Sequence, residues 1–146
     1  MLALTKKTGY ALVAMTHLAG LPEGRFESAR LIARRFGAPT ALMMNALKEL
    51  AAAGYVQSAR GAHGGYRLAR RPEEISLADV VGVLEGPVRL AECVTDAAEG
   101  QECTCRIMAS CPIADPVHRV QRKLRDFLSK VTLAEIVDPM VALAKT

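Results

Sequence analysis

A glycine-rich string between two short strand-like segments constrains the fold of this chain more than any other feature. The segments YVQSAR and YRLAR lie on either side of the tip Gly61-Ala62-His63-Gly64-Gly65. Glycine adopts the positive φ angles that tight turns require, and the periodicity after Tyr55 is no longer that of a helix. The sequence therefore predicts a β-hairpin with a slim tip.

Three amphipathic helices are predicted before the hairpin, because apolar residues recur there at three- and four-residue spacings. The first is expected over residues 5–19. The second begins after its cap Ser28 and ends at Gly37, and the third begins at Pro39 or Thr40. Two short helices joined by a glycine-containing turn are typical of a helix-turn-helix.

The third helix is the candidate for reading DNA. Its expected inward face consists of Met43, Ala46, Leu47 and Leu50, and that of the second helix consists of Leu31, Ile32 and Phe36. The remaining outward stripe consists of Thr40, Ala41, Met44, Asn45 and Lys48. In a helix-turn-helix this stripe enters the major groove. Asn45 is suited to adenine and Lys48 to phosphate, while Thr40 and Ala41 suit thymine methyl groups or the backbone. An ordinary solvated helix face is the alternative.

Positive charge is concentrated in the half of the chain that carries these elements. Residues 1–71 hold eleven Lys and Arg against three acidic residues, whereas residues 72–146 hold eight against twelve. Arg60 precedes the hairpin tip, and a slim glycine turn lets it approach a phosphate-lined minor groove. His63 at the tip is expected to meet phosphate rather than metal. Three further arginines add charge to the hairpin: Arg67, Arg70 and Arg71. An ordinary tight hairpin is the alternative.

Length and hydropathy indicate one cytoplasmic protein unit. The 146 residues suit a single domain, or a small domain with an arm, and no apolar run approaches the roughly 18–20 residues of a membrane span. The N-terminal MLALTKKTGY has no signal-peptide core. We expect no enzyme activity, because no catalytic acid–base pair, phosphate loop or nucleophile motif is evident.

The second half of the chain combines an irregular segment with a long helix. Another short helix is expected over 75–84, and residues 88–112 show no sustained periodicity. An a/d seam then predicts a helix that self-associates, although packing on its own domain is the alternative. That seam consists of Val117, Val120, Leu124, Phe127 and Val131.

The predicted fold is therefore mainly α with a small β-hairpin. It is a winged helix-turn-helix domain followed by a long C-terminal dimerisation helix. We divide the chain into a DNA-binding domain over 1–86, a cysteine-rich loop over 87–112, and a dimerisation helix with its tail over 113–146.

Four cysteines lie within 19 residues of this loop: Cys93, Cys103, Cys105 and Cys111. In a cytoplasmic chain such a cluster favours metal ligands or redox sensors over structural disulfides. Thiolates select soft metals, so an iron–sulfur cluster and zinc are the candidates. The spacing C-x9-C-x-C-x5-C lacks the paired C-x2-C knuckles of zinc fingers, which favours the iron–sulfur cluster and leaves zinc open.

Three stretches of the sequence resemble a known family. The runs LTKKTGYALVAM, LIARRFGAPTALMMNALKELAAAGYV and above all ARGAHGGYRLAR are similar to the Rrf-type winged-helix transcription regulators, the family of IscR- and NsrR-like iron–sulfur regulators. With the cysteine segment and TLAEI included, the resemblance covers essentially the whole chain. It implies a homodimer that binds palindromic operators in double-stranded DNA and responds to cluster assembly, nitric oxide or redox change.

The resemblance also assigns roles to residues. Arg60 would reach into the minor groove and the third helix would lie in the major groove. Thr40, Ala41, Leu42 and Met44 are at positions where the family varies its base contacts.

The family's cysteine pattern is similar to Cys93, Cys105 and Cys111, which would hold a [2Fe–2S] or [4Fe–4S] cluster. Cys103 does not belong to that pattern. The candidates for a fourth ligand are Cys103, His118 and Asp115, the last of which also suits a helix cap. Two alternatives remain: a cluster-free cysteine-thiol or zinc-containing regulator of the same fold, and a metal-binding or scaffold protein that does not bind DNA.

Overall fold

The order of elements in the computed structural model agrees with the helices and hairpin predicted from the sequence. The structure describes residues 3–94 and 105–137. The elements are α1 (Lys6–Ala19), α2 (Ala29–Phe36), α3 (Thr40–Ala52), β1 (Val56–Ala59), β2 (Gly65–Leu68), α4 (Leu77–Glu85), α5 (Ala114–Lys130) and α6 (Leu133–Val137). The prediction of a mainly helical winged helix-turn-helix is thus confirmed. No helix within the described ranges is long and apolar enough to cross a bilayer.

The helix ends are determined by local capping. The Ser28 hydroxyl accepts a hydrogen bond from the Leu31 N–H at 3.2 Å, and Gly37 has a left-handed φ of 65°. Ser76 and Asp79 form a reciprocal capping box at the start of α4. The two serine caps satisfy N–H groups that a helix leaves unpaired at its first turn, and the Gly37 N–H donates to carbonyls of the last turn of α2. The predicted boundaries of α2 and α4 therefore follow from side chains within a few residues.

α3 lies at the centre of the core. Its four predicted inward residues are completely buried: Met43, Ala46, Leu47 and Leu50. α1 and α2 both pack against it. Other large side chains buried around it are Met15, Ile32, Ile75, Val80 and Leu133. The core thus combines the helix-turn-helix with residues from α4 and α6.

The predicted buried face of α2 was partly wrong. Ile32 is buried as expected, but Leu31 is 49% exposed and Phe36 is 46% exposed. The residues that join Ile32 against α3 are Ala29 and Ala33. Small side chains allow a close approach of two helices, so α2 places alanines at the contact and leaves its larger apolar side chains outside.

The hairpin has an additional backbone partner that the sequence analysis did not predict. β1 and β2 pair antiparallel, with Ala59 opposite Gly65. Beyond them, the Tyr66 N–H donates to the Glu27 carbonyl at 2.8 Å, and the Glu27 N–H donates to the Tyr66 carbonyl at 3.0 Å. Gly65 has a φ of 135°, and a Cβ there would lie 2.4 Å from the Glu27 backbone. The close approach therefore requires glycine.

α5 packs along α4, and the chain beyond it returns to the start of α4. The Leu77 N–H donates to the Val131 carbonyl, and the Leu133 N–H donates to the Ile75 carbonyl, both at 2.8 Å. Leu133 is 1% exposed. The predicted seam was wrong at Val131, because α5 ends at Lys130 and the Val131 backbone is extended. Tertiary pairing with the start of α4 ends the helix there.

Candidate functional site

The outward face of α3 presents a mixture of polar and apolar side chains. Ala41, Asn45 and Lys48 are exposed. The other predicted DNA contacts on this helix are half-buried: Thr40, Leu42 and Met44. Met44 also packs against the hydrophobic core. Asn45 and Lys48 are therefore the polar side chains most available to a groove.

The wing tip is formed by a tight glycine turn. Arg60 and His63 are both exposed. The Gly64 N–H donates to the Gly61 carbonyl at 3.1 Å, and a Cβ at Gly64 would lie 2.3 Å from the Ala59 carbonyl oxygen. The turn thus depends on the absence of a side chain at Gly64 and leaves Arg60 projecting from a narrow tip.

A largely buried pair of side chains connects α1 to the loop that pairs with the hairpin. The His17 Nε2 contacts a carboxylate oxygen of Glu27, and both side chains are 12% exposed. The His17 ring also meets Phe36 edge-on, with centroids 5.6 Å apart. Since Glu27 pairs with the hairpin through its backbone, these contacts connect α1, the α1–α2 loop and the wing. Sequence analysis did not identify this role of His17, because Glu27 lies ten residues further along the chain.

The other hairpin arginines are held at the base of the wing rather than at its tip. The Arg67 guanidinium lies 4.7 Å from the Phe26 ring centroid, and its Nε donates to the Gln57 side chain at 2.9 Å. The Arg70 guanidinium lies 4.4 Å from the Tyr55 ring centroid. Such stacking restricts the orientation of a guanidinium.

Arg71 differs from its neighbours because it pairs with a carboxylate. Its Nη2 lies 3.2 Å from Glu74 Oε1. The Arg71 backbone N–H and side chain hold the pKa of Glu74 below its ordinary value. The positive charge of Arg71 is therefore balanced within the wing base.

Of the described cysteines, Cys93 follows α4, whereas Cys105 and Cys111 precede α5. Cys93, Cys105 and Cys111 are free, half-buried thiols. Cys103 lies outside the described residues. Within residues 3–94 and 105–137, no three His, Cys, Asp or Glu side chains come together as a metal site requires. The three described cysteines of the predicted ligand set thus form no disulfide, and no metal-ligand group is gathered in the described part of the chain.

The first two turns of α5 carry the other candidate ligands. Asp115 is exposed. The Nε2 atom of His118 is buried and has no hydrogen-bond partner among the described residues. Thiolates and an imidazole nitrogen are donors that iron–sulfur clusters and zinc both accept. By donor chemistry, the residues present therefore fit a soft-metal group.

Gln121 links the cysteine segment to α5. This side chain is 3% exposed. Its Oε1 accepts from the Leu90 N–H at 2.9 Å, and its Nε2 donates to the Val88 carbonyl. Both backbone groups precede Cys93 by only a few residues. A lone glutamine between Val120 and Arg122 carries no signal for this role, so sequence analysis missed it.

The chain is similar to known regulators over nearly its whole length. A family model described as "Iron-dependent Transcriptional regulator", Rrf2, matches residues 4–139. Among solved structures, CymR (YrzC), the global cysteine regulator of B. subtilis, is 28% identical with a TM-score of 0.69, over 94% of this chain and 97% of that one. T. potens IscR is 28% identical with a TM-score of 0.65, over 93% and 86%. Staphylococcus aureus CymR is 27% identical with a TM-score of 0.66, over 92% and 97%. The chain belongs to the Rrf2 family of transcriptional regulators.

Proposed function

We propose that this protein is a homodimeric, cytoplasmic transcription regulator that reads a palindromic operator and senses iron–sulfur, redox or nitric oxide status through a cysteine-ligated cluster. The observation that carries the DNA-binding part is the exposure of Asn45, Lys48 and Arg60 on α3 and the wing tip of a winged helix. The division into 1–86, 87–112 and 113–146 remains part of this proposal.

A binding titration against operator DNA tests the first part. The purified protein is mixed with inverted-repeat promoter fragments and with scrambled fragments of equal length at several salt concentrations. We expect a sequence preference and an affinity that falls with salt, since phosphate contacts release counterions. Equal, weak binding to every fragment would refute a regulator function.

An exposed apolar stripe formed by α5 and the residue just before it supports the homodimer. Ile113 is 60% exposed, Val120 is 54% exposed and Phe127 is 62% exposed, and they recur every seven residues. Leu124 instead lines a groove with residues of α4. The proposed dimer face is therefore narrower than the seam predicted from sequence. Sedimentation of Phe127→Asp should show a monomer, while Ser129→Asp, a matched charge on the same helix, should remain dimeric.

The proposed cluster ligands are Cys93, Cys105 and Cys111, with Cys103, His118 or Asp115 as the fourth. When bound, an iron–sulfur cluster supplies a centre that reacts with oxidants and nitric oxide. Cys93 follows the segment that Gln121 holds, and Cys111 lies just before α5. Ligation of both thiols by one group would connect these two parts of the chain. The presence or absence of that group would then affect the position of the dimer helix.

Anaerobic purification with an optical spectrum and analysis of iron, sulfide and zinc tests the cluster. We expect visible charge-transfer bands and stoichiometric iron and sulfide. Serine substitution of Cys93, Cys105 or Cys111 should abolish the bands, and Cys103→Ser shows whether that thiol is the fourth ligand. A colourless protein would refute the cluster and leave DNA binding intact.

A cluster-free thiol or zinc sensor is the second candidate. It is favoured by the free thiols and by the lack of a gathered donor group within the described residues. The similarity to CymR, the global cysteine regulator of B. subtilis, also supports it. Zinc without iron, or DNA affinity that changes on thiol oxidation of a metal-free protein, would favour this candidate.

A further inference from the structure

We propose that an arginine-lined recess at the base of the wing binds a phosphoryl-type dianion. The recess is an open cleft of about 490 Å³ between the end of α1, the α1–α2 loop and the base of the hairpin. The basic residues that line it are Arg25, Arg67, Arg70 and Arg71. The site depends on neither the cluster nor operator binding.

Two of these arginines are held in place before any ligand arrives. Arg67 is stacked on Phe26 and uses its Nε–H for Gln57, so its four Nη donors remain for a ligand. Arg70 is stacked on Tyr55. A guanidinium that is already oriented loses less side-chain entropy on binding, and its planar fork matches two oxygens of a phosphate.

A glycine with positive φ lies beside each of the two guanidinium groups. Gly24, with a φ of 79°, lies beside Arg67 Nη1, and a Cβ there would be 4.0 Å from that atom. Gly54, with a φ of 83°, lies beside Arg70 Nη2, and a Cβ there would be 3.8 Å away. The chain therefore turns back at two glycines next to the guanidinium groups.

The charge of the recess matches a dianion. Glu74 balances Arg71 through the 3.2 Å contact. Of the remaining charged residues that line the recess, three are arginines and one is Glu23. The excess is two positive charges, which a phosphate or pyrophosphate group neutralises better than chloride or a monocarboxylate does.

The recess is separate from the proposed DNA-reading face. Its lining includes no residue of α3 and none of the tip residues 60–64. The position of the recess therefore favours a free phosphorylated molecule, rather than DNA, as the source of the anion. A phosphodiester of DNA flanking the operator offers the same phosphoryl oxygens with one negative charge, and the test distinguishes the two sources.

Calorimetric titration of the DNA-free, full-length protein with sodium pyrophosphate and with inorganic phosphate, at an ionic strength held constant with chloride, tests the site. We expect saturable binding of one anion per chain. The double substitution Arg67→Gln with Arg70→Gln should weaken it about tenfold or more, as loss of two charge-assisted contacts implies. The matched pair Arg34→Gln with Arg35→Gln, exposed on α2, should leave the affinity unchanged.

Two further variants separate orientation from charge. Arg67→Lys keeps the charge but lacks the fork, and Phe26→Leu keeps every charge but removes the stacking ring. Both should weaken pyrophosphate binding. Thermal melts show whether each variant is folded. Equal weakening by both double substitutions, or no saturable binding to any DNA-free protein, would overturn a free-anion site.

Titration with operator DNA identifies the other source. Fragments with and without extended flanks are compared for the native protein and the Arg67→Gln, Arg70→Gln double variant. If pyrophosphate does not bind and the double variant loses affinity only for the extended fragment, the site takes DNA phosphate and the free-ligand assignment is wrong. If neither the anions nor the extended DNA fragment binds in a way that depends on Arg67 and Arg70, the proposal of an oxyanion site is refuted.

Discussion

Replacing Gln121 by leucine should lower the free energy of unfolding markedly, although the residue lies on a helix rich in charged residues. The substitution keeps an apolar stem but removes the hydrogen bonds to the Leu90 N–H and the Val88 carbonyl. A backbone group left without a partner in a buried site costs about 1–3 kcal/mol. Burial of the leucine side chain offsets about 1.5–3 kcal/mol of the total. We expect a net loss of about 2 kcal/mol in the free energy of unfolding.

Urea unfolding of the metal-free protein measures this loss. Arg122→Leu adds the same side chain at the next, exposed position and should change the free energy of unfolding by no more than about 0.5 kcal/mol. Gln121→Glu keeps an acceptor for Leu90 but loses the donor to Val88, so it should also destabilise. If Gln121→Leu is no more destabilising than Arg122→Leu, the paired hydrogen bonds do not hold the segment before Cys93.

Three other predictions follow from single positions. Gly65→Ala forces a Cβ to within 2.4 Å of the Glu27 backbone and should lower the free energy of unfolding by about 2 kcal/mol or more in the same urea assay. Gly82→Ala places a Cβ in open space on α4 and should raise the free energy of unfolding by about 0.5–1 kcal/mol. Hydrogen bonds from Thr8 and the α1 N-cap lower the pKa of Glu85, so its stabilisation is present above its ordinary value of 4.5 and is lost as pH falls through the lower folded pKa. Glu85→Gln should therefore flatten the acid limb of a stability-versus-pH curve, and an unchanged limb would contradict this. Arg60→Ala should weaken operator binding and reduce the salt slope by about one, while substitution of an exposed α5 arginine should not.

Local signals in the sequence were sufficient to predict the helices whose ends are determined by their own nearby residues. Ser28, Gly37 and Ser76 cap or end helices through atoms a few residues away, so α2 and α4 could be located in advance. The inward face of α3 also follows from its periodicity, because a helix surrounded by other elements buries one complete stripe. These features depend on short-range geometry.

Faces that depend on a neighbouring element were predicted less well. Leu31 and Phe36 looked like core residues by composition, but α3 approaches α2 at its alanines. The same applies to α5, where Leu124 turns to α4 while Val120 and Phe127 remain exposed. Hydrophobicity predicts that a side chain prefers to be buried, but not which partner buries it.

The sequence by itself determined the winged helix-turn-helix, since its caps, helical periodicity and glycine-rich tip act over a few residues. Only the tertiary structure decided which distant groups meet: His17 with Glu27, Gln121 with the segment before Cys93, and two arginines with aromatic rings at the wing base. Those contacts join residues ten or more positions apart, and their formation depends on how helices and loops pack rather than on local preference. The wing is therefore encoded locally, whereas its support and its connection to the cysteines arise from packing.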